Sequence, residues 1–274
     1  MQIKELEDAL GAMLVERDAR QVRLTKFGEE AGQRARDILR LVDELGDLAR
    51  ASRERLVGRL RIGVIPTIAP YLLPAVIGNL MRVAPELDIH VRETVTPRLI
   101  EELTEGRLDT AIVALPVSEP SLTEVALFTE NFLLVRPGAD AAMPVPSSET
   151  LRNERLLLLE EGHCFRDQAL SFCNMRSARP REVLDASSLS TLVQMVSAGI
   201  GVTLIPEMAM GVETRSASVA LARFPDPQPA RTVGMVWRRT SPLAAQLRQI
   251  AEVVGASAKT LLVQHAAPGA ASTG

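Results

Sequence analysis

Two hydrophobic periods meet at Gly58, and the change between them limits the chain to a helical front end followed by an α/β body. Before it, Phe27, Ala31, Ala35, Ile38, Val42, Leu45 and Ala49 recur at spacings of four and three. That is a heptad seam, on a helix predicted from Thr25, its N-cap, to about Arg55. A lone helix of that length has no core of its own, so the seam needs a partner. The partner is either its own domain or the same helix of a second chain, and the second is expected. Ahead of it, Ile3, Leu6, Leu10 and Leu14 predict an amphipathic helix over 2–14. ERDARQVRLT (16–25) reads as a short turn or hairpin, with Arg17, Arg20, Arg23 and Lys26 set against Asp18.

After Gly58, β-rich runs alternate with helical ones. Strands are predicted at 59–65, 88–94, 109–115, 132–137, 155–161, 201–206 and 232–238. Helices are predicted at 70–83, 97–107, 165–175, 189–199 and 242–255. The alternation argues for a parallel α/β sheet, here in two sets, and ligands in such sheets sit beyond the carboxyl ends of the strands. The tail HAAPGAASTG is small and polar enough to be disordered.

Composition excludes several classes. Hydrophobic residues are 46% of the 274, enough for a sizeable core. Lys and Arg total 31 against 34 acids, so the chain is no bulk polycation, and nucleic-acid binding must come from a local patch. Aromatics are 3%, too few for a single-strand stacking platform. No run approaches the roughly 18 apolar residues of a membrane span. The N-terminal stretch carries acids and no small-residue cleavage site, so it does not read as a signal peptide. A cytoplasmic chain with thiols initially reduced, and no membrane contact, is expected.

The two cysteines, Cys164 and Cys173, have no third partner and one adjacent His, which fits no structural zinc pattern. No metal or cofactor is expected. Cys164 follows the apolar run 156–159 and opens a predicted helix, where the helix N-terminus favours a negative thiolate. His163 and Arg166 add donors beside it. Cys164 is therefore either an inert core residue or a good nucleophile. Phe165, Ala169, Phe172 and Cys173 fall near one helical face, which turns Cys173 toward the core. Nine helical residues rise about 13 Å, and a disulfide needs Cα atoms within about 7 Å. The two sulfurs therefore never pair, or they pair only when the helix unwinds. In the second case oxidation drives a bistable element, with a sulfenic acid at Cys164 attacked by Cys173.

GHCFRDQALSFC (162–173) closely resembles the redox loop of the peroxide-sensing LysR-type transcription regulators, the OxyR group. QIKELEDALGAMLVERDARQVRLTKFGEEA (2–31) resembles the end of that family's recognition helix, its wing and the start of its linker helix. SLSTLVQMVSAGIGVTLIP (188–206) and RTVGMVWRRTSPL (231–243) resemble segments of its effector domain, so the resemblance covers the chain to about residue 255. It implies an α/β fold with a partial winged helix-turn-helix at 1–24, a linker and dimerisation helix at 25–57, and a two-lobed regulatory domain, like the periplasmic binding proteins, at 58–265. Lobe I would hold 58–128 and 233–265, lobe II 129–232, and 266–274 would be a flexible tail.

The resemblance makes Cys164 the peroxide-reactive cysteine and Cys173 the resolving one, with Thr67, Thr96, His163, Asp167 and Arg231 around the peroxide. Without it, each threonine reads as a helix N-cap, His163 as a hydrogen-bonding structural residue, Asp167 as a helix-dipole partner and Arg231 as a surface residue. Gln2 and Lys4 would face a DNA groove, and Arg17, Arg20 and Arg23 would meet phosphates. The match enters inside a recognition helix, after about thirty residues of the usual module, so a truncated module and weak DNA binding are expected. The implied partners are promoter DNA, hydrogen peroxide, a homodimer or homotetramer, and a thiol reductant such as glutaredoxin or thioredoxin. The rival readings are a LysR-type regulator answering to an organic effector, a periplasmic-type binding protein and a thiol peroxidase.

Overall fold

The computed structural model describes residues 2–17, 21–51, 55–172 and 184–266. Helix α1 (Gln2–Leu10) stops short of the expected Leu14, because Gly11 takes a left-handed φ of +65° and ends the turn. Strands β1 (Val15–Arg17) and β2 (Val22–Leu24) pair antiparallel as a hairpin. Thr25 caps α2 (Lys26–Ala51): its Oγ1 accepts the Gly28 N–H at 2.8 Å and donates to the Met13 carbonyl at 2.7 Å. The helix is described to Ala51, and residues 52–54 of the expected stretch to Arg55 lie outside the described residues.

The seam on α2 is left open to solvent. Ile38, Leu41, Val42, Leu45 and Leu48 are each more than half exposed. Burying such a side chain is worth about 1.5–3 kcal/mol, so the stripe is the helix's unused binding energy. Asp47, near the C-terminal end of α2, is buried and ion-paired with Arg50, and Gln246 donates to the Arg50 carbonyl at 3.1 Å. The helix is thereby fastened to the body that follows.

That body is built on β3 (Gly58–Val64), α3 (Ala69–Val83), β4 (Leu87–Glu93), α4 (Thr96–Thr104), β5 (Thr110–Leu115) and β6 (Leu122–Pro137). After these come β7 (Leu158–Leu159), α5 (Cys164–Phe172), β8 (Asp185–Ala186), α6 (Leu189–Ser197), β9 (Thr203–Pro206), α7 (Met210–Glu213), β10 (Val219–Arg223), β11 (Ala230–Arg238) and α8 (Ala244–Ala266). The first lobe is a sheet in the order β4-β3-β5-β11-β6, with β3 parallel to β4 and β5, and β11 antiparallel to its neighbours. Gly63 in β3 is obligatory, because a Cβ there would lie 2.6 Å from Leu99 and 2.8 Å from Leu108.

Two long strands carry the chain between lobes. β6 pairs with β11 as far as Asn131, then with β9 from Phe132 and with β10 from Leu133. The strand expected at 132–137 is thus the second half of a 16-residue strand. In the second lobe only Leu158–Leu159 of the expected 155–161 strand forms a ladder, parallel to β8, with Leu156 bridging Val202. The short strands β8 and β10 gave no clear alternation in the sequence. No described helix is long and apolar enough to cross a membrane.

Glutamate at both Val42 and Leu45 should lower the self-association of the chain in sedimentation velocity while leaving the unfolding of the α/β body unchanged. Unaltered association would mean that the exposed stripe has no helical partner.

Candidate functional site

Three parallel-strand ends meet where the lobes face each other. β3 runs into the turn 65–68, β4 into 94–95 and then α4, and β7 into the turn that opens α5. Between them lies a cavity of about 310 Å³. Thr67, Tyr71 and Val95 line it from the first lobe, and His163, Ser190 and Glu213 from the second.

At its base is a fully buried ion pair. Arg231, on β11, donates from Nε to Glu130 Oε1 on β6 at 2.8 Å, and its Nη2 lies 2.7 Å from the same oxygen; both side chains are 0% exposed. Glu130 Oε2 accepts the Met208 N–H at 3.1 Å. The remaining face of the guanidinium goes to the first lobe: Nη1 donates to Thr67 Oγ1 at 2.7 Å and Nη2 to the Thr67 carbonyl at 2.9 Å. A guanidinium has five N–H donors in a fixed fork, so this arginine is almost wholly committed to protein partners. Its Cζ also lies 5.7 Å from the centre of the Phe165 ring, which stacks edge-on against Phe132 at 4.9 Å. Arg231 is therefore a hub under the first turn of α5, not a surface residue.

Cys164 is a free thiol, partly exposed, and the first residue of α5. Phe165 and Ala169 bury the inner face of that helix, as their spacing predicted. Cys173 lies outside the described residues. Arg166 does not serve the thiol: its Nη1 donates to the Leu159 carbonyl at 2.7 Å and to Asp185 at 2.6 Å. The turn before Cys164 depends on Gly162, at φ +93°, and a Cβ there would stand 3.8 Å from Val95. The first lobe's loop thus rests against the turn that carries the cysteine.

The threonines do not cap helices. Thr67 precedes the N-cap residue Ile68 and is spent on Arg231. Thr96 is the first residue of α4, after the N-cap Val95, and its buried hydroxyl has no protein partner. Val95, the residue before it, lines the inter-lobe cavity with His163, and a buried orphan hydroxyl is a ready donor and acceptor for a small polar molecule. His163 lines the cavity half-buried. Burial pushes its imidazole below the ordinary histidine range, against the opposing pull of Glu160.

Asp167 is exposed and lines a different groove, with Phe132, Gln168, Phe172 and Pro229. The structure therefore does not bring it into the inter-lobe cavity. Two features had no sequence signal. Gln168 carries a buried amide oxygen without a partner. Tyr71 donates to Glu213 at 2.6 Å, and Ser190 donates to that carboxylate's other oxygen at 2.7 Å. Of the residues expected at DNA, Lys4 and Arg23 are exposed, Gln2 lies in α1 and Arg17 in β1, and Arg20 lies outside the described residues.

Two expectations follow. Glu130→Leu alone should cost about 3–5 kcal/mol in denaturant unfolding, because it strands a buried cation, and adding Arg231→Met should recover much of that loss. The His163 ring should titrate by NMR below about 6.5. Since its folded value is depressed, its contribution to stability is complete above that pH and is lost as pH falls through the folded midpoint. A midpoint above 6.5 would mean that Glu160 outweighs burial.

The LysR substrate binding domain family matches residues 53–259. A probable hydrogen peroxide-inducible genes activator of Streptomyces viridosporus is 41% identical over 267 residues, 96% of this chain and 85% of that protein. The DNA-binding transcriptional dual regulator OxyR of Escherichia coli K12 is 41% identical over 259 residues, covering 93% and 84%. Among solved structures, a cysteine-to-serine variant of Corynebacterium glutamicum OxyR with hydrogen peroxide bound superposes with a TM-score of 0.75 at 32% identity, covering 96% of this chain and 84% of that one. A full-length OxyR variant from Pseudomonas aeruginosa gives 0.67 at 35% identity, covering 92% and 88%. The family match spans most of the chain and these relatives cover nearly all of it, so the chain belongs to the LysR-type regulators, in the OxyR group.

Proposed function

We propose that this chain is a peroxide-responsive transcription regulator whose reacting thiol is Cys164. The observation that carries the reading is the placement of a free, partly exposed thiol at the first residue of α5, next in the chain to His163, which lines the inter-lobe cavity. The peroxide-bound relative and the relatives named as peroxide-inducible activators support it, and they do not favour an organic effector.

In this reading, peroxide lies between the Cys164 turn and the Thr96 hydroxyl. The thiolate attacks one oxygen, an S–O bond forms, the O–O bond breaks, and the leaving oxygen takes a proton to depart as water. Thr96 and the His163 ring serve as hydrogen-bonding partners for that departing oxygen. Arg231 acts from beneath, through Thr67 and Phe165, with one Nη1 N–H left over. Asp167, in the outer groove, takes no part in this step. Cys173 then attacks the sulfenic sulfur, and a second water leaves as the disulfide forms. The eight helical steps from Cys164 to Phe172 rise about 12 Å, so that closure requires α5 to unwind. A two-electron thiol reductant, such as glutaredoxin or thioredoxin, resets it.

The refolded segment changes how subunits sit in a homodimer or homotetramer joined through α2. That alters the spacing of the 1–24 segments on promoter DNA, with Gln2 and Lys4 at the groove and Arg17, Arg20 and Arg23 at phosphates. The linker at 25–57 and the regulatory domain at 58–265 complete the division. The reaction is one event per oxidation cycle in the cytoplasm, not turnover as a peroxidase.

The test is a brief stoichiometric peroxide pulse on the reduced chain, followed by alkylation and intact and peptide mass spectrometry. A rapid Cys164–Cys173 crosslink, absent in Cys164→Ser, is expected. Two freely alkylated thiols after the pulse would overturn the reading.

A further inference from the structure

We propose that Tyr71 and Glu213 form a clamp across the inter-lobe cleft that sets how closely the first lobe closes over Cys164, and so selects hydrogen peroxide over bulkier hydroperoxides. The inference rests on the peroxide reading of Cys164 and adds a specificity-determining pair to it.

The cavity volume cannot do the selecting. A space of about 310 Å³ holds far more than a molecule with two heavy atoms, since one water occupies about 30 Å³ in the liquid. An alkyl hydroperoxide fits inside it. Discrimination must come from the approach to the sulfur, where two elements of different lobes meet. There Val95 and His163 line the wall from opposite lobes, and the Thr96 hydroxyl is closed off from solvent. Val95 offers only an apolar side chain there, which specifies no distance as a hydrogen bond does.

The specification comes from elsewhere on the same cavity wall. Tyr71 projects from α3 in the first lobe, and Glu213 ends α7 in the second. Their bond is 2.6 Å, and both residues are under 9% exposed. The acceptor is a carboxylate in a buried setting, which makes the bond short and strong. Ser190 on α6 occupies the other carboxylate oxygen, so Glu213 is fixed to its own lobe before it reaches across. Burial and the adjacent carboxylate push the Tyr71 phenol far above its usual range, so it remains a donor at any working pH. Removing the phenol hydroxyl leaves the ring in place and frees the lobes to part. Neither residue touches the sulfur, so both are positioning residues.

The experiment uses the full chain, reduced. Rates of Cys164 oxidation by hydrogen peroxide and by tert-butyl hydroperoxide are measured by stopped flow, with iodoacetamide alkylation of Cys164 as the control for the thiol itself. In Tyr71→Phe the ratio of the two peroxide rates should fall about tenfold, the scale of one buried charge-assisted hydrogen bond. The iodoacetamide rate should stay within about twofold. Glu213→Ala breaks the same bond from the other side, should give the same loss, and stands in if Tyr71→Phe does not fold. A wild-type chain unreactive at Cys164 would sink the underlying peroxide reading. A reactive wild type with an unchanged ratio in the variants, or variants in which all three rates fall together, would overturn the clamp alone.

Discussion

The buried pair of Arg231 and Glu130 is the interaction on which the rest depends. Two charges with no solvent exposure persist only if their hydrogen-bonding capacity is nearly filled, since the Coulomb gain alone seldom exceeds the desolvation cost. Here it is filled by groups from separate parts of the chain: the Thr67 hydroxyl and carbonyl after β3, and the Met208 amide after β9. The pair sits on β6 and β11, where those strands pass between the lobes. The requirement to satisfy one guanidinium therefore fixes the crossover strands, the first turn of the first lobe and the base of the redox helix together.

Around that fixed point the two lobes face each other across the cavity. The second lobe contributes Cys164 and His163, and the first contributes Val95 and Thr96. The site exists only when the strand ends of both are brought face to face. This is the general position for ligands in open α/β sheets, but a covalent reaction at one residue asks more of it than binding does. Reacting atoms must be held to fractions of an ångström, and the apolar side chain of Val95 at the cavity wall cannot do that unaided.

Much of this was legible in the sequence because it is periodic or local. The heptad spacing foretold the open stripe on α2. The step from an apolar run to a helix put Cys164 at an N-terminus, and Phe165 with Ala169 marked the buried face. What was not legible is long-range. Tyr71 and Glu213 are 142 positions apart, and Arg231 and Thr67 164. No local rule distinguishes an arginine that begins an exposed strand from one buried against a distant glutamate. The threonines show the same limit. Both stand where an N-cap would, and the backbone instead makes Ile68 and Val95 the caps, leaving one hydroxyl for the arginine and the other unpartnered. Strand boundaries failed for a related reason: β6 is long because it belongs to two sheets, which no single window of sequence reveals.

The restraints on α5 are unequal along its length. Its first turn is secured by Phe165 between Phe132 and Arg231, and by two bonds from Arg166 to Leu159 and Asp185. Its last turn is held by the edge contact of Phe172 with Phe224, at 4.9 Å, an interaction worth about 0.5–1.5 kcal/mol beyond its burial. The helix is built as a tether with a fixed end and a free arm. Any unwinding of α5 would therefore begin at the Phe172 end and leave the sulfur at the anchored end in its place.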